Sequence, residues 1–132
     1  MVMDLLATHP VKKSDLGFHG NLFGGKLLSI LDSAVAAYAM EKCRNRRMVT
    51  ITIDKCVFKK PAKEGSLVKI YAVMERMGTT SVDFYVEARS FNVYTHDEEI
   101  ILSTTMRFVR IDEDGNSIPI SQQVRNEYNL TK

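Results

Sequence analysis

The chain has 132 residues, is 45% hydrophobic, and carries 18 Lys and Arg against 16 Asp and Glu for a formal net charge of +2. That length suits a single domain spanning residues 1–132 with an ordinary core. The even charge balance excludes nucleic-acid binding by bulk charge and leaves room only for a local basic patch. Cys43 and Cys56 stand in no CxxC or His/Cys metal spacing, so they read as free, inert thiols of a reducing compartment, with no metal site and no cofactor expected. The N-terminal stretch has acid near its start and no basic region before an apolar run, so it does not read as a signal peptide. No apolar run approaches the ~20 residues of a membrane span. The expectation is a cytoplasmic protein without a membrane or nucleic-acid partner.

In chain order, a short extended piece at Met3–Thr8 ends at Pro10, and Lys12–Asn21 is a Gly-, Asp- and Lys-rich loop. A helix is predicted from Phe23 to Lys42. Its apolar residues Leu27, Leu28, Ile30, Leu31, Val35, Tyr38 and Met40 do not fall on one stripe, which predicts burial on several sides. Four strands follow. Met48–Phe58 alternates with period two, Pro61 and Gly65 break the chain, and Leu67–Met77 alternates again. Gly78 and Thr79 make a turn into a strand that sets Val82, Phe84, Val86 and Ala88 against Asp83, Tyr85, Glu87 and Arg89. Glu99–Ile111 is the last strand, closed by the turn Asp114-Gly115-Asn116, and the tail from Ser121 is read as a short helix or frayed end. Strands in hairpin succession predict an antiparallel sheet with the helix on one face. An exposed sheet edge invites a second chain, so a homodimer is expected.

Asp32 is the most informative residue. It lies within the apolar helix, where a carboxylate is costly unless it is paired or hydrogen-bonded. Its plain reading is structural, a cap on a nearby loop or a bond to a neighbouring Ser; its chemical reading is a base or nucleophile. Gly24 and Gly25 open the same helix and leave bare N–H groups for an anion or a polarised carbonyl. Asp32 follows Gly24 by eight residues, which at ~1.5 Å per residue sets them about 12 Å apart along the axis. One carbonyl cannot meet both within a helix, because reacting atoms approach to ~3–3.5 Å. Two antiparallel helices from two subunits would bring Gly24 or Gly25 of one chain to the partner's Asp32.

Three stretches, HGNLFGGKLLSILDSA (His19–Ala34), VTITIDKCVFKKPAKEGSLV (Val49–Val68) and MGTTSVDFYVEA (Met77–Ala88), resemble the hotdog-fold acyl-CoA thioesterases of the acyl-CoA hydrolase group. The resemblance spans roughly Asp15 to Ala88 in the right order. It implies an α+β hotdog fold, an antiparallel sheet wrapped around one long central helix. It implies hydrolysis of acyl-CoA to a free acid and CoA, with CoA entering only as part of substrate and product. It implies a catalytic role for Asp32, as nucleophile or general base, and an oxyanion contact at the Gly24 and Gly25 N–H groups. It also suggests a hexamer built as a trimer of dimers. Many members carry Asn-x-Asn-Gly before the paired glycines, whereas this chain has Gly17-Phe18-His19-Gly20. The first Asn is therefore vacant at Gly17, and His19 stands at the second. Asn21 is a further candidate, its amide suited to orienting a water.

For the substrate's nucleotide end, Lys59, Lys60, Lys63 and Arg76 are candidate phosphate partners, with Thr80 and Ser81 for the pantetheine amides. The alternative for the lysines is a solvated loop. Two rival functions keep the fold. A hydratase or dehydratase would need a His beside an acid, and the long helix carries no His. A non-catalytic acyl-CoA sensor would leave the helix acid unexplained, and related sensors carry an extra DNA-binding segment.

Overall fold

The computed structural model describes residues 2–129. The elements run β1 (Asp4–Pro10), a short 3₁₀ turn (Lys13–Asp15), α1 (Gly24–Cys43), β2 (Met48–Phe58), β3 (Leu67–Met77), β4 (Ser81–Phe91), β5 (Glu98–Arg110) and α2 (Gln122–Asn129). The strands form one antiparallel sheet in the order β1-β3-β4-β5-β2, wrapped around α1 as the resemblance implies. The expected hairpin succession needs one correction. The pairs β3–β4 and β4–β5 are hairpins, but β2 does not pair with β3. It runs beside β5 at the far edge, with Met48 opposite Arg110 and Phe58 opposite Leu102. Pro61 and Gly65 mark the link 59–66 not as a tight turn but as the passage from one edge of the sheet to a strand beside β1.

Helix α1 begins without a side-chain cap, its N-cap Phe23 in extended conformation, and ends where Arg44 turns left-handed (φ 52°) and donates its N–H to the Met40 carbonyl. Leu27, Leu31, Val35, Tyr38, Ala39 and Cys43 are buried, at the three- and four-residue steps that make one helical face. They meet the inner faces of the central strands, where Val68, Ile70, Val82, Phe84, Val86, Leu102, Met106 and Phe108 are sealed from solvent. Tyr38 stacks at 5.2 Å from the Phe84 ring, and Phe84 meets Phe108 edge-on at 6.0 Å. The opposite helix face, Gly25, Ser29, Ser33, Ala37 and Glu41, is exposed in the single chain. Burial on several sides thus holds for the sheet side of the helix and not for this small-residue face. The tail resolves into α2, whose Val124 closes the core beside Ile120.

The outer face of the sheet is polar and tightly cross-linked. Asp83 is 9% exposed and accepts hydrogen bonds from Arg107 Nε at 2.8 Å, Arg107 Nη2 at 3.0 Å and Arg76 Nε at 3.1 Å. Those guanidinium bonds, Arg107's foremost, hold the Asp83 carboxyl below the usual carboxylate range against the opposing effect of burial. Glu87, also buried, takes Arg89 and the Tyr85 hydroxyl. Burial pushes the Cys43 thiol up to about 11, which makes it inert at neutral pH.

Phe84 sits where three rings converge, so Phe84→Ala should destabilise by about 3–5 kcal/mol in urea unfolding. Asp83→Asn should cost about 1–2 kcal/mol at pH 7, the two arginines being half-exposed and their pairs screened. The folded carboxyl lies below its unfolded value of about 3.9. Its contribution is therefore full above that pH and lost as pH falls through the folded value. The gap between parent and Asp83→Asn should narrow progressively in melts repeated at pH values stepped down below about 3.9.

Candidate active site

The segment before α1 is anchored from both sides. Asp15 is 4% exposed and accepts hydrogen bonds from the Lys12 N–H and the His9 ring, each at 2.9 Å, with Lys26 Nζ 3.8 Å away. The Lys12 N–H and His9 hold its carboxyl below the ordinary range. The Asp15 carbonyl takes the Phe23 N–H at 3.0 Å, and the Ala62 carbonyl takes the Leu22 N–H at 2.8 Å. The chain is thus fixed at the residues that launch the helix, which aims the first helical N–H groups, Gly24 and Gly25 among them, outward without intrahelical partners.

Phe58, the last residue of β2, leans over this helix start. A Cβ on Gly24 would come 3.2 Å from Phe58 Cζ, and one on Gly25 would come 2.8 Å from Phe23 Cε2. The two glycines let aromatic rings lie directly on the helix terminus. Beside Gly24 and Phe58 opens a cavity of about 330 Å³ lined by Asn21, Leu22, Gly24, Leu27, Phe58, Lys59, Lys60, Pro61 and Ala62, with Gly25 and Phe23 outside its lining. The structure therefore unites four candidate residues, Asn21, Gly24, Lys59 and Lys60, around one apolar-walled opening with backbone donors at its base. Lys60 Nζ reaches Glu99 at 2.8 Å, which raises its already high pKa. Lys63 bridges backbone-to-backbone with Asn21 but opens onto a different depression, beside Ser66 and Asn92. His19 is exposed, its ring stacked 4.0 Å from that of Phe18, outside the cavity.

Asp32 lies further along α1, about 12 Å from Gly24 by helical rise. It is half-buried, and its Oδ1 accepts the Thr50 hydroxyl at 2.7 Å. Thr50 stands near the start of β2, so α1 and β2 run antiparallel, Gly24 under Phe58 and Asp32 beside Thr50. Thr50 holds the carboxylate on the side of the helix that faces the open edge of the sheet. The hydrogen-bond partner of Asp32 is thus a hydroxyl on β2, not a neighbouring Ser or a nearby loop. Thr50 lies on the alternating strand Met48–Phe58, and the Val49-Thr50 pair that opens the second resembling stretch is the sequence signal for it. Phe58, at the end of β2, lines the cavity and is half exposed at the sheet edge.

Arg76, Thr80 and Ser81 lie elsewhere. The β3–β4 hairpin that holds them is at the opposite end of β3 from Leu67, about 30 Å along the sheet. Arg76 donates to Asp83 and to Ser81 Oγ at 2.8 Å. Since Ser81 shares the phase of Asp83, and Val82 and Phe84 point to the core, these side chains sit on the face away from the helix.

A single chain therefore presents a donor-rich helix terminus with a cavity, and a hydroxyl-held carboxylate on the same helix beyond reach of it. No group of His, Cys, Asp and Glu among the described residues is arranged to hold a metal ion, and no helix among them is long and apolar enough to cross a membrane.

Residues 19–94 match the family described as the thioesterase superfamily. The chain is 29% identical over 120 residues to the uncharacterized acyl-CoA thioester hydrolase YkhA of Bacillus subtilis, covering 91% of this chain and 69% of that protein. It is 29% identical over 118 residues to the acyl-CoA thioester hydrolase YciA of Salmonella typhimurium, covering 83% and 84%. Among solved structures it superposes on a hexameric hotdog fold thioesterase of Campylobacter jejuni with a TM-score of 0.85 and 30% identity, covering 95% and 96%. The sheet order, the wrapped helix and the matched segment agree, and the chain belongs to the thioesterase superfamily, with the hotdog fold.

Proposed function

We propose that this protein is an acyl-CoA thioester hydrolase, cleaving acyl-CoA to a free carboxylic acid and CoA at a site shared by two protomers. The observation that carries the reading is the 12 Å-scale separation of two complementary groups on one helix: terminal N–H donors beside a cavity, and a carboxylate fixed by Thr50. A two-fold axis that sets Gly24 against the partner's Asp32 makes both groups serve one thioester and gives two equivalent sites per dimer. Two features of the single chain support that pairing. The outer edge of β2 has no strand beside it among the described residues yet exposes Ile51, Val57 and Phe58, and the exposed helix face carries the small residues Gly25, Ser29, Ser33 and Ala37, which allow close approach. The hexamers described for related thioesterases support a trimer of such dimers.

At the site, the thioester carbonyl lies against the N–H groups of Gly24 and Gly25, where the helix terminus stabilises negative charge developing on oxygen. The partner's Asp32 attacks the carbonyl carbon or takes a proton from an attacking water, with its orientation set by Thr50. The tetrahedral intermediate collapses with loss of CoA thiolate, which takes up a proton; on the water route this releases the free acid, and on the nucleophile route it leaves a mixed anhydride on Asp32 that water hydrolyses to the acid, restoring the carboxylate. Asn21, on the cavity wall, is placed to orient water. His19, on the exposed turn before it, is not in the cavity of its own chain and contributes only if a partner closes over it. Lys59, Lys60 and Lys63 are the proposed partners of the CoA phosphates, Lys59 and Lys60 from the cavity wall and Lys63 from the neighbouring depression. Arg76, Thr80 and Ser81 belong to the hairpin at the sheet's other end, which the two-fold relation turns toward the partner's Gly24 end. The compartment proposed for this reaction is the cytoplasm.

A panel of acyl-CoAs from acetyl to palmitoyl, read with a thiol reagent, tests the reaction. Asp32→Asn should lower kcat by about 10²–10⁴-fold and retain CoA binding; undiminished hydrolysis would sink the assignment. The shared site is tested by co-expression with Gly24→Pro. This change removes one N–H at a helix position that tolerates proline, and the extended Phe23 before it suits a following proline. Each variant alone should be poorly active, whereas mixed assemblies should regain part of the parental rate, since a mixed dimer holds one site with neither change. A site contained within one chain would regain none.

A further inference from the structure

Asp15 is the most deeply buried acid among the described residues, and the mechanism does not use it. Its surroundings tie it to one place, the start of α1. A helix start is ordinarily stabilised by a capping side chain on its free N–H groups or by an acid in its first turn. Helix α1 has neither: Phe23 makes no side-chain capping bond, and the first turn holds no acid. That turn carries a cation instead, Lys26, whose charge opposes the helix dipole there. A local cap would also occupy the donors, because it bonds the second or third helical N–H, here that of Gly25 or Lys26. The chain meets the need from outside the helix. Asp15 sets its carbonyl on the Phe23 N–H at 3.0 Å and its carboxylate 3.8 Å from Lys26 Nζ. One residue thus holds the cap position and faces the first-turn cation, while its carboxylate bonds neither Gly24 nor Gly25.

What holds Asp15 in turn is the sheet. Its Oδ2 accepts from the Lys12 N–H and from His9 Nε2, each at 2.9 Å. A carboxylate only accepts, so Nε2 of His9 carries the proton. Lys12 belongs to the same loop as Asp15 and moves with it, whereas His9 stands on β1 opposite Val68 of β3, a residue sealed in the core. A line of contacts therefore runs from the packed core through β1 and the His9 ring to Asp15, and from there to the N-cap of α1. Backbone donors stabilise a developing oxyanion only when they are already aimed at it, and a misplacement of ~1 Å can cost about 10²-fold in rate. The His9–Asp15 bond restrains that movement without standing in the cavity.

We propose that His9 and Asp15 are positioning residues for the oxyanion site, a pair that locks the entry to α1 so that the Gly24 and Gly25 N–H groups stay aimed while remaining unoccupied. For its catalytic consequence the proposal rests on the hydrolase reading, and it gives a task to two residues that touch no substrate. His9→Ala removes the tie, and His9→Gln supplies a side-chain amide that can donate in its place. With acyl-CoA as substrate, His9→Ala should lower kcat about tenfold and leave KM within about twofold of the parent; His9→Gln should stay close to the parent in both. In a Gly24→Pro background, where one donor is already gone, the loss caused by His9→Ala should shrink. Hydrogen exchange at the Leu22 and Phe23 amides of the assembled protein gives a readout independent of turnover, faster in His9→Ala and parental in His9→Gln. The His9 side chain is partly exposed, so neither change opens the core. Parental kcat in His9→Ala would overturn the role, as would parental exchange at those amides or an equal loss of kcat with and without Gly24→Pro. A parent that hydrolyses no acyl-CoA while His9→Ala still frees the two amides would overturn the hydrolase reading and leave the pair standing as the lock on the helix entry.

Discussion

The structure depends on how α1 is seated in the curve of the sheet. Leu27, Leu31, Val35 and Ala39 press into the inner faces of the central strands, and this contact fixes both the rotation of the helix and its position along the strands. Rotation decides that Asp32 turns toward β2 and meets Thr50. Position decides that the helix terminus ends beneath Phe58. The loop anchored at Asp15 then completes what packing begins, by holding the residues that enter the helix. The chemistry follows from two ordinary demands, burial of an apolar stripe and satisfaction of backbone donors, with the donors at the helix start left open.

Much of this was legible in the sequence. Period-two alternation located every long strand, and the apolar run located α1 to within a residue or so. The connectivity was not legible, because alternation reports that a segment has one buried face and says nothing about which strand lies beside it. The link 59–66 contains Pro61 and Gly65 and looks like a turn, yet it carries the chain from one side of the sheet to the other. The helix occupies the hollow between β1 and β2, and the edge position of β2 is a tertiary result that no local pattern encodes.

The candidate site divides the same way. Asp32 was visible because an acid in an apolar helix conflicts with its surroundings, and such conflicts are where function concentrates. Thr50 and Phe58 were less visible, because a polar and an aromatic residue on a strand agree with local expectation. Asp15, the most deeply buried acid described, drew no notice in a loop rich in polar residues. Its partners, His9 and the Lys12 N–H, come together only when β1 and the 3₁₀ turn fold back on each other. Arg76, beside the hairpin, bonds Asp83 and Ser81 within its own chain, since a charge on a strand bonds to the nearest complementary neighbour on its own face.

The course of β2 also bears on how such a chain comes together. Its outer edge is open, with apolar side chains exposed at Ile51, Val57 and Phe58, a surface that recruits any extended segment it meets. Its register with β5 shifts between Asp54 and Val57, where Lys55 adopts a positive φ of 46°. Such a kink bends a strand and limits how far a neighbour can zip along it. A newly made protomer is thus sticky over a short, shaped stretch and not along a flat ribbon. That difference favours capture of one matching copy over open-ended strand addition, and makes the interval between folding and pairing the period when the chain is most vulnerable to aggregation.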